Sequence, residues 1–594
     1  MSLDHRRERL IALGFLAALG VPTAAQAQSA PRPQPPSALL PSPGDAIDAA
    51  TRRRNPEAAP LPSGPGVRFT SQAPPSNADE IRFVLNEIQV EGGTIYSTER
   101  IDALVGDRKG REVSLVDVFA IAGELQRLYR EDGFLFTRVV VPAQAIDAGV
   151  VRLEAVEAVL TVVEVEEPEE PVGPVIDLAR KIVASLRGLR NPTAERIESV
   201  LLRLNDIPGI TRAAAVPRVG AGERGAVELY VNMEREAIDI TAFLDNRQSP
   251  IIGDGLMGVV ASVNSWSPFG DSTTLSGFMS AGFDDPFPAD FRERWTVQAE
   301  HVHFLGSSGL NLRGRALYSE SRPGDIVRDF DITSDQTEVE VTLHYPARRT
   351  RALSVDLFGG LEVVEINSLT PAPRLPNGAP SPIPDLIVDD RLTVATFGLE
   401  ALQRDSLGYT EARIEVRRGL DLAGATSAGD QNISRADGGG EFWLIRGEIE
   451  RTLPVTDGWT LLAKAWGQAT EATLLASEEF TIGGAEIGRA YFPSEYAGDI
   501  GAGVSMELRW NQTVAWREFR APLEVYGFGD FGEVRNNGAG SPIHAAVASA
   551  GFGLRAQLAG RLAVNFEAAR PINRPLLYNG SDAWRFLFSA SRAF

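Results

Sequence analysis

The chain has 594 residues, a formal net charge of −21 and no cysteine. That length exceeds one ordinary hydrophobic core and calls for several domains. The lack of cysteine excludes disulfides and thiolate metal centres, and the acidic balance argues against nucleic acid as a partner. Arg6, Arg7 and Arg9 precede an apolar run over 10–21, and Ala25-Gln-Ala27 supplies a small-residue cleavage site. Roughly a dozen apolar residues cannot cross ~30 Å of hydrocarbon, so 1–27 reads as a cleaved export signal with Gln28 opening the mature chain. No later stretch approaches the ~18 apolar residues of a membrane helix. The exported chain is therefore either soluble outside the cytoplasm or a β-barrel.

Residues 28–79 are rich in proline, serine and alanine, as in Pro31-Arg-Pro-Gln-Pro-Pro36, and read as an extended tether. Within it, 45–54 can form a short helix ending in Arg52, Arg53 and Arg54, a candidate plug. A repeat follows. Residues 83–90 alternate as a strand, Ser97 caps a short helix ending near Gly106, and Ser114 caps a longer one. In the longer helix Leu115, Val118, Phe119, Ala122, Leu125 and Tyr129 keep the 3.6-residue period, and Gly133 stops it. Strands at 134–141 and 150–156 complete a β-α-α-β-β unit over 80–157. The same order recurs over 158–236, with a strand at 160–165, helices at 176–186 and 193–204, and strands at 210–216 and 226–233. The acidic run 164–170 reads as a solvated loop.

From Ile238 onward the helical signal stops. Segments of about ten to fourteen residues alternate between apolar and polar, the pattern of membrane barrel strands. Short turns (267–271, 347–350, 456–458) separate them on one side, and long polar loops (367–390, 423–440) on the other. About sixteen strands fit into 237–594, an even number as outer-membrane barrels require. At the end of the chain Trp584, Phe586, Phe588, Ala590 and Phe594 share one face. Trp266, Trp295 and Trp510 fall near strand ends and fit interface girdles. One loop, 473–497, departs from the usual polarity: it carries Ile482, Ile487, Tyr491 and Phe492 around a single arginine, Arg489. Further on, Phe528-Gly-Asp530-Phe-Gly532 sets an aspartate in an apolar strand. A carboxylate buried alone is costly, so Arg489 and Asp530 are expected to pair, with a two-toothed fit favouring arginine.

The order of signal, tether, two β-α-α-β-β modules, barrel and terminal Phe594 resembles the transporters of two-partner secretion, the haemolysin secretion/activation family. The modules resemble polypeptide-transport-associated (POTRA) domains. The first is similar to the family's through Tyr129-Arg-Glu-Asp-Gly-Phe134, Thr137, Val141-Pro-Ala-Gln144 and Gly149-Val-Val151. The resemblance implies that the loop after the eleventh strand folds into the lumen, and that an Arg-Gly-Tyr/Phe motif there bonds the aspartate of a Phe-x-Asp-x-Gly motif on the wall. The wall motif is complete in Phe528, Asp530 and Gly532. The loop reads Gly488-Arg489-Ala490-Tyr491, with glycine before the arginine, and Ala490 disfavours the positive φ that glycine accepts.

The implied function is capture of an unfolded exoprotein in the periplasm and its export through the barrel without nucleotide hydrolysis. The implied partners are a secreted cargo with a β-helical secretion domain, the barrel-assembly machinery, which would read Phe594, and outer-membrane lipid. An outer-membrane insertase and a passive porin stay open as alternatives, but a porin leaves both modules without a task. No catalytic motif stands out, neither a nucleophile elbow nor a phosphate-binding loop. His301 and His303 share a strand face but lack a third ligand, so neither metal nor cofactor is expected.

Overall fold

The computed structural model describes residues 72–166, 173–220, 222–282, 293–370, 386–435, 437–516, 519–538, 544–558 and 561–594. The export signal, the tether up to residue 71 with its 45–54 helix, and most of the acidic run lie outside the described residues.

Module 1 contains β1 (Arg82–Val84), β2 (Glu87–Glu91), α1 (Thr98–Val105), β3 (Glu112–Ser114), α2 (Leu115–Glu131), β4 (Arg138–Val140) and β5 (Val150–Val156). Ser114 caps α2 through a capping box with Asp117. The single strand expected at 83–90 is two. Around Leu85 and Asn86 the backbone leaves the β3 side and turns to Gly149, so β1 pairs with β3 while β2 runs parallel to β5. The strand expected at 134–141 shortens to β4, because Phe134 to Thr137 form turns closing the helix. Pro142 then offers no N–H. The Gln144 side chain fills the gap, its amide spanning the Arg152 N–H and C=O at 2.7 Å each.

Module 2 contains β6 (Val159–Val165), α3 (Ile176–Val183), α4 (Ala194–Asn205), β7 (Ile210–Val219) and β8 (Ala226–Arg235). Its sheet order is β6-β8-β7, matching β2-β5-β4 in module 1. The repeated turn glycines Gly133 and Gly209 both take positive φ, 90° and 81°. Each module has an apolar core, around Ile121, Leu125 and Leu153 in the first and Leu178, Leu201 and Leu229 in the second, which also takes in Phe136 of module 1 and Phe304 of the barrel.

Sixteen antiparallel strands then close a barrel. They begin with β9 (Ile238–Asp245), β10 (Gly255–Asn264), β11 (Ser272–Ala281), β12 (Arg294–Phe304), β13 (Asn311–Ser321) and β14 (Thr333–Arg349). Next come β15 (Leu353–Leu369), β16 (Leu386–Asp405), β17 (Gly408–Gly419), β18 (Trp443–Thr456) and β19 (Trp459–Thr470). A small hairpin, β20 (Phe480–Ile482) with β21 (Tyr496–Gly498), stands apart from the wall. The wall resumes with β22 (Ile500–Trp516), β23 (Phe519–Arg535), β24 (His544–Leu558), β25 (Leu562–Pro571) and β26 (Arg585–Ala593), which returns to β9. Among the described residues no helix is long and apolar enough to cross a membrane.

Several strands outrun the expected ten to fourteen residues: β14, β15, β22 and β23 have 17 and β16 has 20. The loop expected over 367–390 is thus strand at both ends, where Asp335 pairs with Asn367 and Asn367 with Asp389. Strand that continues past the membrane into water can be polar on both faces, so it loses the alternation that marks the rest. Within the membrane, apolar side chains such as Leu361, Phe397, Val504 and Phe586 point outward and are exposed. Trp266 with Phe269, and Trp459 against Trp510 at 6.3 Å, ring the short-turn end. Trp295 against Tyr318 at 5.3 Å, and Trp443, ring the other.

Candidate functional site: a loop pinned inside the barrel

The segment between β19 and β22 leaves the eleventh strand of the barrel and folds back against the inner wall. Alternation explains the wall motif. Phe528, Asp530 and Gly532 sit two apart on β23, so all three face the lumen. Each receives a different part of the loop. The Arg489 guanidinium lies 4.0 Å above the Phe528 ring. Asp530 accepts from the Arg489 Nη2 and from its backbone N–H, both at 3.2 Å. At Gly532 a Cβ would come within 2.4 Å of Ile487 and 2.9 Å of Ile482, so only glycine lets the loop lie flat there.

The displaced glycine of the loop has a plain geometric reading. Gly488 takes φ +75°, and a Cβ on it would meet Val547 at 2.9 Å. The left-handed residue thus precedes Arg489, and Ala490 is not among the positive-φ residues. Ala490 is fully buried, and its carbonyl accepts from the Arg585 Nη1 at 3.1 Å. Tyr491 is equally buried and donates its hydroxyl to the Arg574 carbonyl at 2.7 Å. Ile482, Ile487, Tyr491 and Phe528 form one apolar cluster with Val547 and Leu587. The unusual apolarity of the loop is this contact.

The pairing around Arg489 is broader than one bond. Its shortest ionic contact is Glu507 on β22, at 2.6 Å, and Glu567 on β25 lies 3.5 Å away. Asp530 is met by one guanidinium nitrogen, not by the two-toothed fit expected. Ser505 and Ser549 donate hydroxyls to Asp530 at 2.7 and 3.0 Å. Arg247 shares Glu567 at 3.1 Å, and Arg555 and Arg509 share Glu507 at 3.0 and 2.7 Å. Arg489 is 6% exposed and Asp530 5%, so these charges are compensated by one another more than by water. Glu507 and Glu567 were not read from the sequence. A signal existed: Val504, Met506 and Leu508 face lipid, which turns Ser505, Glu507 and Arg509 inward.

The other sequence candidates lie elsewhere. Phe594 is exposed on the outer face, with its N–H donating to the Ile240 carbonyl at 2.9 Å beside the β26–β9 seam. His301 and His303 stack against each other at 6.2 Å, flanked by Trp266 and Phe269, and extend the girdle. Among the described residues no cluster of metal-ligating side chains occurs.

A family model for the POTRA domain, ShlB-type, matches residues 83–158. The model for the haemolysin secretion/activation protein ShlB/FhaC/HecB matches residues 386–556, which include both the loop and its wall motif. The heme/hemopexin transporter protein HuxB of Haemophilus influenzae is 22% identical over 284 residues, 44% of this chain and 48% of that one. The chain thus aligns with just under half the length of that relative. The outer membrane transporter CdiB of Dickeya dadantii is 22% identical over 457 residues, 73% of each chain. Among solved structures, CdiB from Escherichia coli superposes with a TM-score of 0.68 at 18% identity, covering 93% of this chain and 97% of that one. CdiB from Acinetobacter baumannii gives 0.60 at 15% identity, covering 93% and 97%. The ShlB-type POTRA model and the haemolysin secretion/activation model thus match this chain in that order, and over those two segments the chain resembles that family.

Proposed function

We propose that the protein is the outer-membrane translocator of a two-partner secretion system. Its modules take up an unfolded exoprotein in the periplasm, and its barrel passes that chain outward without nucleotide hydrolysis. The observation that carries this reading is the joint between module 2 and the barrel. Arg349, at the β14–β15 turn, bonds Asp206 of module 2 at 2.8 Å and Asp356 through both guanidinium nitrogens at 2.7 Å. Arg351 bonds Glu198 at 2.8 Å, and Phe304 of β12 is buried in the core of module 2. A cavity of about 330 Å³ opens at this joint, lined by Asp206, Glu300, Arg313, Arg349 and Asp356. Its polar walls suit hydrated backbone.

Module 2 offers one sheet edge toward such a chain. The far side of β6 is already bonded by the backbone at 188–191, which leaves β7 as the outer edge. An open edge accepts an extended peptide as an added strand. The cargo class that fits is a large secreted protein with a β-helical domain, whose folding outside the cell drives transfer. Barrel-assembly machinery would insert the barrel, and Phe594 is the residue it would read. Replacing residues 80–236 by those of another family member tests the reading. Export of the native cargo should stop while the barrel still migrates as a folded species; export at the native rate would move recognition out of the modules.

A further inference from the structure

Besides Glu479 against Arg435 at 3.1 Å and Glu486 against Lys464 at 3.5 Å, the lumenal loop carries a charge contact of opposite sign to Arg489 on the other side of its own stem. Glu478 lies on a short turn just after β19, is 3% exposed, and meets Arg417 of β17 through both carboxylate oxygens, at 2.7 and 3.1 Å. Arg446 of β18 reaches the same carboxylate at 3.3 Å and the Glu478 carbonyl at 3.3 Å. That carbonyl also accepts from Gln468 at 2.8 Å. Arg417 in turn bonds Glu362 of β15 at 2.7 Å. Glu478 therefore grips the wall on the β17–β18 side of the stem strands β19 and β22, whereas Arg489 grips it on the β22–β25 side.

This contact has the two-toothed arginine–carboxylate geometry that Arg489 and Asp530 lack. Planar forks of this kind fix position and direction together. A purely static anchor would do as well with apolar side chains, since buried ion pairs add little net stability over them. A charged anchor differs in what happens on release: both partners can be taken up by lumen water, so this end can let go without adding to the apolar surface that parting Ile482, Ile487 and Tyr491 from the wall exposes. We infer that Glu478, held by Arg417 and Arg446, is a second positioning residue of the lumenal loop, and that the loop is a crossbar which vacates the pore only when both of its charged ends let go.

The absence of cysteine makes a direct measurement available. Ala490→Cys places one thiol at a fully buried loop position, and its labelling rate by an added maleimide, in the purified full-length barrel, reports loop release. No cargo is needed, so the outcome is independent of the export reading. Glu478→Gln should speed labelling roughly tenfold or more, the scale of losing hydrogen bonds to a charged group. Arg417→Gln should speed it less, because Arg446 still reaches the Glu478 carboxylate, and adding Arg417→Gln to Glu478→Gln should change nothing further, because the Arg417–Glu478 link is then already cut. Glu478→Gln combined with Arg489→Gln should exceed the product of the single effects. Glu478→Gln is the milder variant for assembly, because Arg417 keeps Glu362. Should Arg417→Gln fail to give a heat-modifiable barrel, Arg417→Lys replaces it, with an intermediate rate expected. Parental labelling rates in Glu478→Gln, beside fast labelling in Arg489→Gln, would overturn the inference.

Discussion

The interior of the modules and the interior of the barrel are built by opposite uses of the same alternation. In β5 of module 1, Val151, Leu153 and Ala155 point into the module's apolar core. In β22 of the barrel, Ser505 and Glu507 point in, while Val504, Met506 and Leu508 point out. The surroundings set the direction. A module in water hides its apolar face, but a barrel in lipid turns that face outward and must fill its inside with what remains. Module interiors are therefore held by close packing, and the lumen by compensated charge. A cavity should harm the first, and a lost charge the second.

The largest effect should come from Arg489→Ala. Removing it leaves Glu507, Asp530 and Glu567 short of one cation, a loss of about 3–5 kcal/mol where the site is dry and less where lumen water reaches it. Secretion should fail while heat-modifiable migration on gels stays normal, because the strands keep their own hydrogen bonds. Asp530→Asn should be gentler, since Arg489 keeps Glu507 at 2.6 Å. An isolated pair could be exchanged as Arg489→Asp with Asp530→Arg, but here the new aspartate would face Glu507 and Glu567, so little rescue is expected. Secretion by Arg489→Ala at the parental level would remove the loop from the mechanism.

Next in size is a packing defect. Leu153→Ala or Leu229→Ala should cost module stability by about 2–5 kcal/mol, read as a lower denaturant midpoint for protease resistance of the modules. Both residues are fully buried. Leu361→Ala, on the lipid face, should move that midpoint not at all. A shift equal to that of Leu153→Ala would mean that modules and barrel unfold as one unit.

A smaller effect joins the two modules. Glu157 accepts from the Thr94 amide at 2.6 Å and hydroxyl at 2.5 Å, from Tyr129 at 3.1 Å, and from Asn191 of module 2 at 2.7 Å. Burial pushes its carboxyl up, but these donors outweigh burial and hold it below the ordinary carboxylate value. A depressed acid contributes stability above its unfolded pKa of ~4.3 and loses it as pH falls through the folded value. The junction should thus loosen only below about pH 4.3, and Glu157→Gln should cost about 1.5–3 kcal/mol at neutral pH and abolish that acid step. Protease cutting between the modules as a function of pH measures both. An unchanged acid step in Glu157→Gln would assign it to another group.

Smallest in stability, though not in yield, is deletion of Phe594. It removes one backbone hydrogen bond, to Ile240, of about 1 kcal/mol. Barrel abundance in the outer membrane should nevertheless fall if assembly reads this residue. Normal abundance with failed secretion would point to a transport role instead.

Sequence by itself determined the element order, because each element announces its own periodicity: 3.6 residues around Leu125 and Tyr129, and two along the barrel strands. It also set the repeat of modules, through Gly133 and Gly209, and drew attention to Arg489 and Asp530. Local pattern did not carry the split of 83–90 into two strands, since that depends on whether Arg111 or Gly149 is the backbone neighbour. Nor did it give the lengths of β15 and β16, whose polar ends pair in water beyond the membrane. Only the tertiary structure decided who shares a charge with whom. Arg489, Glu507, Asp530 and Glu567 come from a loop and three strands, up to 78 positions apart in chain numbering, and barrel closure brings them within 3.5 Å of the same guanidinium. Periodicity tells each residue which way to face; curvature and closure choose what it faces.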